Sequence, residues 1–215
     1  MSLPASRPFL YLHGFASSPC SQKARFFRDR LAERGFQLQV PDLAPGDFEH
    51  LTITGQLAVL TAAARGRPVA LIGSSLGGYL AALYAARHPE VQALILLAPA
   101  FGFARRWQEF LGPRMSEWKR SGFLEVYHYG EHCNRQIAYG LFEDALRYEE
   151  YPLITQPTLV FHGKNDQTVP AVYSEQFATQ RPNVQLSLLD SGHELVDVLP
   201  QIWEQAGPFL LRCVE

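Results

Sequence analysis

Cysteine is scarce in this chain. Only Cys20, Cys133 and Cys213 occur among 215 residues, an odd count with no C-x-x-C pair. That spacing argues against a disulfide framework and a cysteine-built zinc site, and it fits a reduced, cytoplasmic setting. An excess of one charge is missing too: 19 Lys and Arg face 21 Asp and Glu, a formal net charge of −2. Without a basic surplus, nucleic acid is not an expected partner. No apolar run approaches the ~18 residues of a membrane span. The opening "MSLPASRPFLYLHGF" lacks the charged-then-apolar layout of a secretory signal. Internal repeats and low-complexity tracts are also absent.

What is present is a rhythm of short apolar runs and amphipathic stretches. "FLYLHG" (9–14), "FQLQVPDL" (36–43), "PVALIGSS" (68–75), "VQALILLAPA" (91–100), "PTLVFHG" (157–163) and "VQLSLLD" (184–190) read as strands. A first helix is expected to start with Ser18 as N-cap and Pro19 in its first turn, and to stop near Gly35. Further helices follow over 51–66, 76–88 and 170–181. A last one carries Leu195, Leu199, Ile202, Ala206, Phe209 and Cys213 along one side. Strand–helix alternation predicts parallel strands joined by crossover helices, and strands apolar throughout predict cover on both faces. The expected fold class is therefore α/β, an open, doubly wound, mostly parallel sheet of about six strands over residues 1–215.

One stretch, at about 101–150, is far longer than a crossover needs and is rich in aromatics. "RRWQEFLGPRMSEWKR" reads as helix broken at Gly112–Pro113, "FLEVYHY" as a short strand, "FEDALRYEE" as another helix. The segment is expected to form a small lid or cap, with Trp107 and Trp118 against substrate. The alternative is a surface excursion whose aromatics pack on the main domain.

Gly73-Ser74-Ser75-Leu76-Gly77 fits G-x-S-x-G at a strand-to-helix junction. A serine there sits on a tight turn that lifts its hydroxyl above the sheet, beside the free N–H groups of a helix start. Ser75 is the expected nucleophile; a Gly-rich phosphate loop or a plain turn is the alternative, and no lysine follows the glycines as a Walker loop requires. A serine needs a base, and the base an orienting acid. His193 follows the last strand and is the expected base; His162, at the end of the fifth strand, competes with it. Asp166, in the loop after that fifth strand, is the expected acid, with Asp190 and Asp197 as alternatives. The amides of Leu76 and of Phe15, after the first strand, are the expected oxyanion donors. No metal or organic cofactor is required by such chemistry.

"YLHGFASSP", "LIGSSLGGYLAALYA", "LVFHGKNDQTVP" and "LLDSGHEL" resemble the corresponding motifs of α/β-hydrolases. More narrowly, the first two resemble the small bacterial esterases of the YqiA type, from about Pro8 onward and least over 101–150. The resemblance implies an α/β-hydrolase fold and a carboxylesterase acting on short acyl esters. It implies Ser75 as nucleophile, Asp166 as acid, His193 as base, and Phe15 and Leu76 as oxyanion donors. A thioesterase, a C–C hydrolase or lyase on the same triad, and a non-catalytic binding protein that keeps the fold are the other readings.

Overall fold

In the computed structural model, which describes residues 9–179 and 181–212, the chain begins with β1 (Phe9–Leu12), α1 (Gln22–Ala32), β2 (Leu38–Gln39) and α2 (Ile53–Ala64). It continues through β3 (Val69–Ser74), α3 (Leu76–Ala85) and β4 (Val91–Leu97). Between β4 and the next strand of the same sheet lie α4 (Phe103–Leu111), α5 (Arg114–Ser121), β5 (Phe123–His128), β6 (Cys133–Ala138) and α6 (Gly140–Ala145). The alternation resumes with β7 (Thr158–Gly163), α7 (Val172–Ala178), β8 (Val184–Leu189) and α8 (Leu199–Arg212).

The main sheet has six strands in the order β2-β1-β3-β4-β7-β8, and every pairing is parallel. Neighbouring side chains of a strand point to opposite faces. Leu10, Leu12, Leu71 and Leu94 enter one packed cluster; Phe9, Tyr11, Ala70 and Ile72 enter the other. Both faces of the inner strands are covered, so β1, β3, β4 and β7 show no polar alternation. Ala24, Phe27 and Leu31 of α1 join Ile202, Ala206 and Leu210 of α8 on one face. Helices α2 and α3 and the 103–145 segment fill the other. From β1 the chain first builds outward to β2, then returns to build the other way from β3. The carboxyl ends of β1 and β3 therefore flank a topological switch point, where open α/β sheets carry their sites.

Several boundaries depart from expectation for local reasons. Helix α1 starts at Gln22, and its N-cap is Ser21, whose hydroxyl accepts from the Ala24 amide; Ser18 and Pro19 lie in the preceding turn, where Ser21 N donates to Ser18 O. Strand β2 shrinks to two residues because it is an edge with only β1 beside it, and Pro41 has no N–H to donate. Helix α8 begins at Leu199 because Leu195 takes a left-handed φ of 54°; Cys213 lies outside the described residues. "FLEVYHY" contributes β5, and its antiparallel partner β6 is half polar, so no apolar run announced it.

The 103–145 segment is fastened to the body at several points. Asp144 accepts from the Thr54 amide and hydroxyl, both at 2.7 Å, and so caps α2 from outside. Ala138 N donates to Glu49 O and Tyr129 N to Ala16 O. Among the described residues, no helix is long and apolar enough to cross a membrane.

Candidate active site

The turn after β3 is built by close approach. Ser75 has φ 53° and ψ −119°, a conformation costing a non-glycine residue about 1–3 kcal/mol unless its surroundings enforce it. They do: Ser75 N donates to Leu97 O at 2.9 Å, and Ser75 O accepts from Ala100 N at 2.9 Å. A β-carbon on Gly73 would lie 2.4 Å from Gly77 O, and one on Gly77 only 2.1 Å from Leu12 O. Both flanking positions of the motif are thus closed to any side chain.

Ser75 Oγ lies 3.1 Å from His193 Nε2, and His193 Nδ1 lies 2.7 Å from Asp166 Oδ2. An ionised carboxylate only accepts, so Nδ1 carries the ring proton and Nε2 presents its lone pair to the Ser75 hydroxyl. The Asp166 side chain is fully buried. Burial alone would raise its pKa; hydrogen bonds from His162, His193 and the Val169 amide outweigh it and hold the carboxyl well below the usual range. Asp190 and Asp197 are engaged elsewhere, the first by Asn165 Nδ2 at 3.1 Å and the second by Ser191 Oγ at 2.6 Å. His162 does not meet the serine; it touches Asp166 from inside the protein.

The loop after β1 supplies a fixed peptide. Leu43 N donates to His13 Nε2 at 3.2 Å, so Nδ1 of that ring carries the hydrogen and donates to Gly14 O at 3.0 Å. Burial pushes the His13 pKa down, which keeps this donor–acceptor pattern intact. With the Gly14 carbonyl pinned, the Phe15 N–H on the opposite edge of the same trans peptide points away from it. A β-carbon on Gly14 would sit 3.9 Å from Ser75 Oγ, so this strand end and the serine are immediate neighbours. Leu76 opens α3, and its N–H has no acceptor within the helix.

Ser75, Leu76, Phe15 and His193 open onto a cavity of about 660 Å³. Phe103, Trp107, Phe110, Leu111, Leu124 and Val126 make an apolar wall toward the 103–145 segment. Toward α1 the lining turns polar, with Ser21, Lys23, Ser74 and Glu194. Trp118 corrects the expectation made for it: it lies behind the wall, 1% exposed, its ring tilted against Trp107 at 5.2 Å between centroids and its indole N–H donating to Ile137 O. It packs where Trp107 lines. Among the described residues, no three His, Cys, Asp or Glu side chains gather as a metal site would need.

Two side chains at the cavity carried no usable sequence signal. Lys23, 7% exposed, donates from Nζ to Glu194 O at 2.9 Å and to Glu194 Oε2 at 3.2 Å, which ties α1 to the residue after His193. Burial lowers its pKa against the pull of Glu194. Arg106 of α4 donates to Thr168 O, in the loop whose amides hold Asp166. Lys23 lies four residues beyond the motif "YLHGFASSP", and that nearness is the one hint the sequence holds.

The sequence profile of an uncharacterised protein family, UPF0227, matches residues 8–207. The AB hydrolase superfamily protein YisY of Bacillus subtilis (strain 168) is 24% identical, over 79% of this chain and 78% of that protein. Among solved structures, alpha/beta hydrolase domain-containing protein 10 from mouse superposes with a TM-score of 0.78 at 22% identity, covering 94% of this chain and 90% of that one. Est1E from Butyrivibrio proteoclasticus, solved with ferulic acid bound, gives 0.75 at 21%, covering 97% and 89%. The parallel six-stranded sheet with helices on both faces is the architecture these share. The chain belongs to the UPF0227, YqiA-like family, and its fold is that of the α/β-hydrolases.

Proposed function

We propose that the protein is a serine carboxylesterase that cleaves small acyl esters through an acyl-enzyme. The observation that carries this is the unbroken chain from Ser75 Oγ to His193 at 3.1 Å and from His193 to Asp166 at 2.7 Å, opening onto the cavity. Ser75 Oγ attacks the ester carbonyl carbon, and its proton passes to His193 Nε2. The oxyanion is taken by the Phe15 and Leu76 amides. Collapse breaks the bond to the alcohol oxygen, which leaves with the proton from Nε2. Water then attacks the acyl carbon and gives its proton to Nε2; the second collapse returns that proton to Ser75 and frees the acid. Asp166 stays ionised throughout and stabilises the imidazolium.

The apolar wall of Phe103, Trp107 and Leu124 favours an apolar acyl or aryl group at that end. The ferulic acid held by Est1E, an aromatic acid, agrees with that choice. A thioester would use the same steps with a sulfur leaving group.

A fluorophosphonate probe tests the reading. It should label the Ser75 peptide alone, and Ser75→Ala should abolish both labelling and hydrolysis of a panel of p-nitrophenyl esters and acyl thioesters of graded length. Labelling elsewhere, or turnover retained in the alanine variant, refutes it. Faster cleavage of thioesters across the panel would reassign the leaving group alone.

A further inference from the structure

His162 stands near the carboxyl end of β7, wholly buried, and the reaction as drawn gives it no part. Three groups meet its ring. Nδ1 lies 2.7 Å from Ser174 Oγ on α7. Nε2 lies 2.7 Å from Val169 O and 3.1 Å from Asp166 Oδ2. A carbonyl oxygen only accepts, so Nε2 carries a hydrogen. In the neutral ring Nδ1 is then a bare acceptor, and the Ser174 hydroxyl donates to it. The Nε2 hydrogen is shared between Val169 O and Asp166 Oδ2.

Asp166 is in consequence gripped by four N–H groups. Oδ1 accepts from the Thr168 and Val169 amides, at 2.9 and 2.7 Å. Oδ2 accepts from His193 Nδ1 on the cavity side and from His162 Nε2 on the buried side. We infer that His162 is a positioning residue for the hydrolysis proposed above, on which this inference rests: it holds Asp166 Oδ2 in line with His193 Nδ1, and Ser174 fixes its tautomer. Two physical consequences follow from the second donor. Oδ2 offers lone pairs in two directions, and one left empty in a dry interior is a cost that rotation of the carboxylate would relieve. A second donor on Oδ2 also draws electron density from it, so that when His193 becomes an imidazolium the proton stays on the ring.

A space-filling imidazole would have none of these effects, and the two roles separate by experiment. Ester hydrolysis is measured for His162→Leu, which has no donor, and for His162→Gln, whose amide nitrogen reaches the place of Nε2. The leucine variant should lose kcat by about 10- to 100-fold at near-constant KM, as loss of an orienting partner does. The glutamine variant should recover most of it. In an Asp166→Asn background, His162→Leu should cost less than about threefold, because the group it acts through is already gone. Equal losses in the two His162 variants, or the full factor repeated beside Asp166→Asn, would overturn the inference. If the leucine variant does not fold, the low-field proton resonance of His193 Nδ1 carries the test in Ser174→Ala and His162→Gln. A displaced resonance in either supports the role, and an unmoved one in both refutes it. The two readings fail differently: an unlabelled Ser75 in the wild type removes the hydrolase mechanism, whereas a labelled Ser75 with a wild-type rate in His162→Leu removes this inference alone.

Discussion

Replacing Gly77 by alanine tests the construction of the site without touching any group that reacts. The new β-carbon would lie 2.1 Å from Leu12 O and 2.5 Å from His13 O. Both are backbone atoms, so no side chain can swing aside. To reach an ordinary contact, the end of β1 must separate from the start of α3 by about 1 Å, since carbon and oxygen tolerate little under ~3.2 Å. Forced overpacking of this kind costs about 1–3 kcal/mol. At roughly 2–4 °C per kcal/mol for a domain of this size, Tm should fall by about 2–12 °C. The same separation carries the Phe15 amide away from Ser75, and a misplacement of ~1 Å costs on the order of 10²-fold in rate. Gly140 is the control. It is exposed, opens α6 and has nothing within 4 Å of its would-be β-carbon, so Gly140→Ala should be neutral or stabilise by a few tenths up to about 1 kcal/mol. Differential scanning calorimetry and single-turnover acylation by a p-nitrophenyl ester read both effects. A folded Gly77→Ala variant with wild-type acylation would refute the claim that the serine turn rests directly on the end of β1.

Three further outcomes are expected. Asp166→Asn should lower kcat by about 10²–10⁴ with the fold retained by circular dichroism, while Asp190→Asn stays within about tenfold; steady-state kinetics check the ranking. Trp107→Ala should raise KM for long or aromatic acyl esters while sparing kcat on an acetate ester; Trp118→Ala should lower stability by about 3–5 kcal/mol, read by urea unfolding. His13 is held neutral by burial, its pKa pushed below the ordinary value, so the unfolded chain binds the extra proton first. Its contribution is complete above about pH 6.5 and is lost as pH falls below that, by at most ~1.4 kcal/mol per pH unit. A urea midpoint whose slope between pH 5 and 7 is unchanged in His13→Asn would contradict this.

The middle of the sheet was legible because burial on both faces leaves its mark on β1, β3, β4 and β7. In Val69–Ser74 and Val91–Leu97 every residue but Gly73, Ser74 and Gln92 is apolar, the run expected of a strand covered on both faces. Ser75 and Asp166 stood out as candidates because each follows such a strand, and His193 because it lies in the loop after β8. Where burial is one-sided or partial, the signal fades. Strand β6 reads "CNRQIA", buried fully only at Ile137, and passes for a loop. Trp107 and Trp118 look alike in sequence, but they sit on different helices, and only packing decides which ring reaches the cavity. Lys23 and His162 act through contacts 171 residues away and 12 residues away, to Glu194 and Ser174, and a linear pattern does not encode such meetings.

The order of strands also sets the insertion apart from the elements that carry Ser75, Asp166 and His193. The loop proposed to bind the oxyanion follows β1, Ser75 follows β3, Asp166 follows β7 and His193 follows β8. Strand β4 lies between β3 and β7, in the middle of this row, and carries none of them. Its carboxyl end is nevertheless pinned to the site, since Ala98 N donates to Phe161 O and Ala100 N to Ser75 O. A segment growing from that end must rise directly beside the serine, and 103–145 does so, supplying the apolar wall. Arg106 also reaches the loop after β7, donating to Thr168 O beside the Thr168 amide that holds Asp166. The strands on either side hold Ser75, His193 and Asp166 at contact distance, while the segment between them lines the cavity and so bears on what enters it.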